Sequence, residues 1–338
     1  MKKLKLFINK SLLIFRVLIF LIIDKIAFSI KFSQLSNINE KDKIILILNL
    51  QGLGDFLIHL STYKEIKKYF PNHKIYFLCD LKLVKLAKKL NCFDKIISIN
   101  SDKFFLGNNF YRINFKYIFY RFKKIQEINR QNYDFIFNIC RKELFLNILM
   151  MNLKAKNKIG FNQITFNNKF YNSIFNKAYT KVIQTEYKHF LWSIKNFFQQ
   201  INPNYEIKSD EYYLPKFEVD IKEYKSLENK KYFVIALGAF DLKRTLDIKK
   251  FIALANEINT NIENIVLIGI EKEKFLGEFF EKNYSGTKNI INLIGKTNLY
   301  DLISVIKYAK FFIGSDTGTT HFAVALKTPS ICILCGGS

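Results

Sequence analysis

From Lys43 onward the chain alternates short apolar runs with amphipathic stretches. The run Lys43-Ile-Ile-Leu-Ile-Leu-Asn-Leu50 has strand length and the continuous apolar character of a parallel strand covered on both faces. Gly52 and Gly54 interrupt it, and from Asp55 the spacing predicts a helix that closes near Tyr69-Phe-Pro71. Strands are expected at 74–79, 95–99 and 134–140, with helices at 82–91 and 143–153. Residues 161–230 are less regular and rich in Asn, Lys and Tyr, with an amphipathic stretch near 186–201 suited to a long connecting helix. The rhythm then restarts, with strands at 232–237, 264–268, 290–293, 311–313 and 330–334 and helices at 248–258, 272–283, 299–308 and 317–326. Such βαβ alternation predicts doubly wound parallel sheets in an α/β fold, here as two Rossmann-like halves joined near 215–230.

The segment before this pattern differs. Residues 1–31 carry seven basic residues and a single acidic one, Asp24, around the apolar stretch Leu12–Ile23. Arg16 divides that stretch, so no run approaches the ~20 apolar residues of a spanning helix. Ile26-Ala-Phe-Ser29 is a poor match to a signal-peptide cleavage site. The expectation for residues 1–40 is a basic amphipathic segment lying on an anionic membrane surface, the alternative being a helix packed on the protein's own core.

Composition narrows the classes without choosing among them. The 338 residues hold 53 Lys+Arg against 29 Asp+Glu, a formal net charge of +24, with 49% hydrophobic residues. That apolar content excludes a disordered chain, and the length suits two domains. Five Cys and four His show no zinc or disulfide spacing. Cys332 and Cys335 fall on a strand expected to be buried and read as core thiols. The positive charge admits nucleic acid, an anionic membrane or acidic substrates, and it also fits Lys-rich codon bias on solvated faces. No helix-turn-helix, RNP or Cys/His module accompanies it, so nucleic acid is not expected as a partner.

Two strand-to-helix junctions carry candidate chemistry. The first is Gln51-Gly-Leu-Gly-Asp55, where the glycines permit close backbone approach and Asp55 sits at a helix start. Leu57 replaces the third glycine of a dinucleotide fingerprint, and taken alone Asp55 reads first as an N-cap. The second is Gly314-Ser-Asp-Thr-Gly-Thr-Thr-His321. Amides of Thr317, Gly318 and Thr319 at a helix N-terminus form a cradle for a diphosphate, with hydroxyls at 317, 319 and 320 as further donors. Asp316 either orients that loop or caps the helix, and His321 either meets the ligand or is a satisfied, partly buried side chain.

Together these motifs resemble glycosyltransferase family 9, the lipopolysaccharide heptosyltransferases. The resemblance rests on Leu53-Gly-Asp-Phe-Leu near the start, Ile294-Gly-Lys-Thr-Asn-Leu, and the run from Phe311 through Asp316-Thr-Gly-Thr-Thr-His321 to Pro329. It spans roughly 43–338, and is strong after 290 and thin between the two motifs. It implies a GT-B fold, two Rossmann-like domains facing a cleft, here an acceptor-binding domain over 41–225 and a nucleotide-sugar domain over 226–338. The latter is short at its C-terminus beside relatives. The implied reaction is inverting transfer of heptose from ADP-heptose to a lipopolysaccharide core acceptor of the lipid A–Kdo type. It would take place at the cytoplasmic face of the inner membrane and require no cofactor.

By resemblance, Asp55 is the general base, and Lys243, Thr317, Gly318 and Thr319 contact the donor diphosphate. Glu273 holds the ribose, and Gly54, Asp316 and His321 support the site. No Asp-x-Asp motif occurs, in keeping with a leaving group handled by a helix dipole and a lysine instead of a metal. Three departures stand out. Asn49 replaces a common Arg, no Trp follows Lys243, and Cys335-Gly-Gly-Ser338 replaces the usual terminal motif. Alternatives are another nucleotide sugar for O-antigen or capsule, or a non-catalytic, membrane-associated nucleotide-binding homologue.

Overall fold

The computed structural model describes residues 22, 25, 26, 43–50, 52–105, 114–140, 144–161, 176–184, 190–204, 227, 230–239, 245–258 and 261–335. The expected basic segment 1–40 lies outside them except for Ile22, Lys25 and Ile26, which are helical and exposed. The chain divides into two compact units, one of Met1–Gln51 with Thr62–Lys208, the other of Gly52–Ser61 with Ser209–Ser338.

The first unit holds a six-stranded sheet: β1 (Ile44–Asn49), β2 (Lys74–Asp80), β3 (Lys95–Ile99), β4 (Tyr133–Asn138), β5 (Ala155–Phe161) and β6 (Lys181–Ile183). Their order is β3-β2-β1-β4-β5-β6, every pair parallel. All six residues of β1 are buried, as its unbroken apolar run requires of a central strand covered on both faces. Ile45 pairs with Ile75 on one side and Phe135 on the other, which fixes β1 beside the point where strand order reverses. Helices of Leu60–Tyr69, Phe115–Ile128, Leu144–Asn152 and Phe190–Ile201 provide crossovers and cover.

The second unit repeats the plan with β7 (Tyr232–Ala236), β8 (Asn264–Ile268), β9 (Asn289–Asn292), β10 (Phe312–Ser315) and β11 (Ser330–Ile333) in the order β11-β10-β7-β8-β9, again all parallel. β7 and β8 are buried throughout. Phe233, Ile235, Ile265, Leu267 and Ile313 meet Phe251 and Phe280 of the covering helices in one core.

Several expectations need correction. The helix expected from Asp55 to Tyr69 is two helices, Leu53–Ile58 and Leu60–Tyr69, separated at His59, whose N–H reaches back to the Asp55 and Phe56 carbonyls. β11 is not a buried strand. As the edge strand beside β10 it exposes three of its four residues, Cys332 among them, so Cys332 and Cys335 are not core thiols. β5, β6 and the Phe115–Ile128 helix carried no clear periodic signal.

The far side of the first sheet is tied by a buried polar chain. Asn138 at the end of β4 donates to the Tyr179 hydroxyl at 2.6 Å, and that hydroxyl donates to Asn147 Oδ1. The Tyr179 ring lies flat against Gly160 of β5, where any Cβ would collide with it. Burial pushes the Tyr179 hydroxyl far above its ordinary range, so it remains a neutral donor at every physiological pH. Tyr179→Phe removes a donor and an acceptor from between two buried amides and should destabilise the protein by about 1–3 kcal/mol in urea unfolding. An unchanged midpoint would mean that the chain of hydrogen bonds contributes nothing to stability.

Candidate functional site

The site is built where two glycine-bearing helix starts meet within the second unit. After β1 the chain enters the Leu53–Ile58 helix with Gly52 as N-cap, so Asp55 lies at the third helical position and is not itself the cap. Its carboxylate accepts hydrogen bonds from the backbone N–H of Gly52 and from its own N–H. This is the reciprocal half of a capping box, in which an acid reaches back to the N-cap amide. The half-buried carboxyl has its pKa raised, chiefly by loss of water; His321 and these amides oppose the rise.

The opposing piece follows β10. Asp316 and the extended Thr317 lead into the Gly318–Ala325 helix, whose amides bond back to Thr317 O only from Thr320, at 3.1 Å, and His321, at 3.3 Å. Gly318 and Thr319 therefore lie in the first turn, where amides have no acceptor inside the helix and suit an anion. The Thr317 and Thr319 hydroxyls sit 2.8 Å apart. Thr320 is different from its neighbours. Its hydroxyl is buried and donates to Ser315 O at 2.5 Å, so it is a structural bond and not a ligand donor.

The helix starts touch through their glycines. A Cβ on Gly54 would lie 2.8 Å from His321 Cδ2 and 3.5 Å from Gly318 Cα, and a Cβ on Gly318 would lie 3.4 Å from the Gly54 nitrogen. The His321 ring thus packs over Gly54, where it meets the field of Asp55, and its Nε2 is 3.9 Å from Asp316 Oδ1. Asp55, Gly54, Asp316, Thr317, Gly318, Thr319 and His321, widely separated in sequence, form one neighbourhood.

Glu273 occupies a second place at the carboxyl ends of the same sheet. It follows β8, is 5% exposed, and accepts from the Ile270 N–H at 2.8 Å. Its carboxyl lies in a slot between Gly238, just past β7, and Gly269, just past β8; a side chain at either glycine would overlap it. The sequence named Glu273 but gave no sign of this slot, although a glycine ending each of two adjacent buried strands was available as the signal. Burial raises the Glu273 pKa, and the Ile270 amide and Lys272 oppose the shift. Asn49 is buried and donates to the Tyr63 hydroxyl. Lys243 lies outside the described residues. Among the described residues no group of three or more His, Cys, Asp or Glu is arranged to hold a metal ion.

Known proteins share both the sequence and the architecture. The sequence profile of glycosyltransferase family 9 (heptosyltransferase) matches residues 121–335. Lipopolysaccharide heptosyltransferase 1 of Campylobacter coli is 24% identical over 304 residues, which is 86% of this chain and 83% of that protein. Among solved structures, a glycosyl transferase family 9 protein from Veillonella parvula superposes with a TM-score of 0.68 at 16% identity, covering 88% of this chain and 82% of that one. The E. coli heptosyltransferase WaaC with ADP-2-deoxy-2-fluoro heptose gives 0.62 at 15% identity, over 86% and 88% of the two chains. Two parallel-sheet α/β units of this kind match the GT-B fold of the solved heptosyltransferases. The chain belongs to glycosyltransferase family 9 (heptosyltransferase).

The Glu273 slot has a consequence for stability. A carboxyl whose pKa is higher in the folded than in the unfolded state costs stability as pH rises through the folded value, and costs nothing below the ordinary value of 4.5. Glu273→Gln should therefore raise Tm at pH 8 by more than at pH 4.5, as read by thermal unfolding at both. A lower Tm at pH 8 would contradict the burial argument.

Proposed function

We propose that this protein transfers heptose from ADP-heptose to a lipopolysaccharide core acceptor with inversion at the anomeric carbon. The observation that carries the reading is the juxtaposition of the Asp55 carboxylate with the Thr317–His321 loop, a base beside an anion cradle. In this reading Asp55 takes the proton from an acceptor hydroxyl as that oxygen attacks the sugar's anomeric carbon. The new C–O bond forms as the bond to the diphosphate breaks, and the proton remains on Asp55. The Gly318 and Thr319 amides and the Thr317 and Thr319 hydroxyls take up charge developing on the departing nucleoside diphosphate, joined by Lys243.

Glu273 accepts hydrogen bonds from the ribose hydroxyls. Its slot between Gly238 and Gly269 fixes the carboxylate, and the energetic cost of burying it is offset when ribose donors arrive. Asp316 and His321 support the cradle, and Gly54 allows the imidazole its place. The donor is read as ADP-heptose because the WaaC structure holds an ADP-heptose analogue. The acceptor reading follows from the Campylobacter coli relative's activity. A lipid-linked acceptor places the enzyme at the cytoplasmic face of the inner membrane, where residues 1–40, with their excess of Lys, suit anionic headgroups. No helix among the described residues is long and apolar enough to cross a membrane.

Purified protein given ADP-heptose and a heptose-free lipid A–Kdo acceptor should release ADP, and a thermal-shift screen of nucleotide sugars should single out the ADP-linked donor. Stabilisation by a different nucleotide sugar alone would redirect the donor assignment. Asp55→Asn should lower kcat by roughly 10²–10⁴ while ADP still binds. In the parent enzyme, activity should fall on acidification with an apparent pKa above the ordinary aspartate value of 3.8, because burial raises that of Asp55. Full transfer by Asp55→Asn would remove Asp55 from the role of base.

A further inference from the structure

Phe115 is 81% exposed and Phe119 67%, one turn apart on the Phe115–Ile128 helix of the first unit. The opposite face of that helix is firmly packed. Arg121, Ile125 and Ile128 are buried, the Arg121 guanidinium donates to Phe104 O at 3.1 Å, and it stacks over the Phe104 ring. The two phenylalanines are therefore held outward by a fixed helix. Helical spacing puts Lys116 and Lys123, both exposed, along one flank of the phenylalanine pair. Arg130, also exposed, follows the helix end.

Rings of this size each offer about 150–250 Å², so the pair presents about 300 Å² of apolar surface. A stable protein interface needs about 800 Å² per partner and is depleted in Lys at its core. Both facts disfavour a second protein. Aromatic side chains flanked by lysines on a helix lying flat match the interfacial zone of a bilayer, where rings enter the headgroup–acyl boundary and ammonium groups meet lipid phosphates. The chain's net charge of +24 favours an anionic surface over a zwitterionic one.

We infer that the outward face of the Phe115–Ile128 helix is a membrane-docking surface that inserts Phe115 and Phe119 into anionic lipid. This deepens the reading of a lipid-linked acceptor by assigning a described element of the fold to hold the enzyme on the bilayer that carries it.

The test uses the full chain and a probe on the helix itself. Trp192 is the single tryptophan, so Phe119→Trp adds one reporter. With vesicles of phosphatidylglycerol and phosphatidylethanolamine, its emission should shift to the blue and be quenched by lipids brominated on the acyl chain. The parent chain supplies the Trp192 background, and phosphatidylcholine vesicles should give little effect. Phe115→Ser with Phe119→Ser should lower vesicle partitioning at least tenfold with an unchanged far-UV spectrum, and Lys116→Glu with Lys123→Glu should remove the preference for anionic lipid. Co-sedimentation with vesicles while the residue 119 reporter stays unquenched would overturn the proposal, since another segment would then be the anchor. So would a concentration-dependent dimer that the double Ser variant abolishes, because a second copy would then cover the face. ADP binding, measured in the same samples without lipid, reports separately on the donor site; its loss would count against the proposed function and not against the docking surface.

Discussion

The site depends on how closely two helix starts approach. Leu53–Ile58 and Gly318–Ala325 meet with Gly54 against Gly318, at distances that leave no room for a side chain on Gly54. The pairing of base and cradle proposed for catalysis follows from that contact. It brings the Asp55 carboxylate, which enters from the strand–helix junction after β1, to the His321 ring and the first turn of the helix after β10. A methyl group at Gly54 would be only 2.8 Å from the ring. Glycine is used here for proximity and not for unusual backbone angles, since it lies inside a regular helix.

The two carboxylates share one device. Asp55 and Glu273 each stand at the third position of a helical turn and accept the backbone N–H of the N-cap residue, Gly52 and Ile270 respectively. That bond orients the carboxylate and favours its charged form, while burial pushes in the other direction and prevails in both. In the proposed reaction, an Asp55 carboxylate that has lost part of its hydration is better matched to a hydroxyl proton than an exposed aspartate. Glu273 is held tighter still, in its slot between Gly238 and Gly269.

The parallel sheets were legible because their central strands are continuous apolar runs. Lys43–Leu50, Tyr232–Leu237 and Asn264–Ile268 have few other readings at that length, and β3 and β8 emerge with the boundaries expected. β5 was not legible. Ala155-Lys-Asn-Lys-Ile-Gly-Phe161 has little apolar character before Ile159, and it is a strand because β4 and β6 flank it and Gly160 admits the Tyr179 ring. The Phe115–Ile128 helix escaped notice because aromatic residues occur on both its packed and its exposed faces, which blurs the period of 3.6. At the site, Gly-x-Gly-Asp and Asp-Thr-Gly read as helix starts from residue type alone. Their meeting at one point rests on tertiary packing, which spacing does not encode. Cys332 shows the converse error, since an apolar run reads as buried even on an edge strand whose side chains face solvent.

The contact between Gly54 and His321 can be tested as an interaction by a double-mutant cycle. Gly54→Ala, His321→Ala and the combined variant would be compared by kcat for sugar transfer, with ADP affinity and far-UV spectra as controls. If Gly54 serves chiefly to seat the imidazole, the alanine at 54 acts by displacing it, and the double variant should be no slower than His321→Ala alone. Fully additive losses, or a Gly54→Ala enzyme that transfers sugar at the parent rate, would contradict the account.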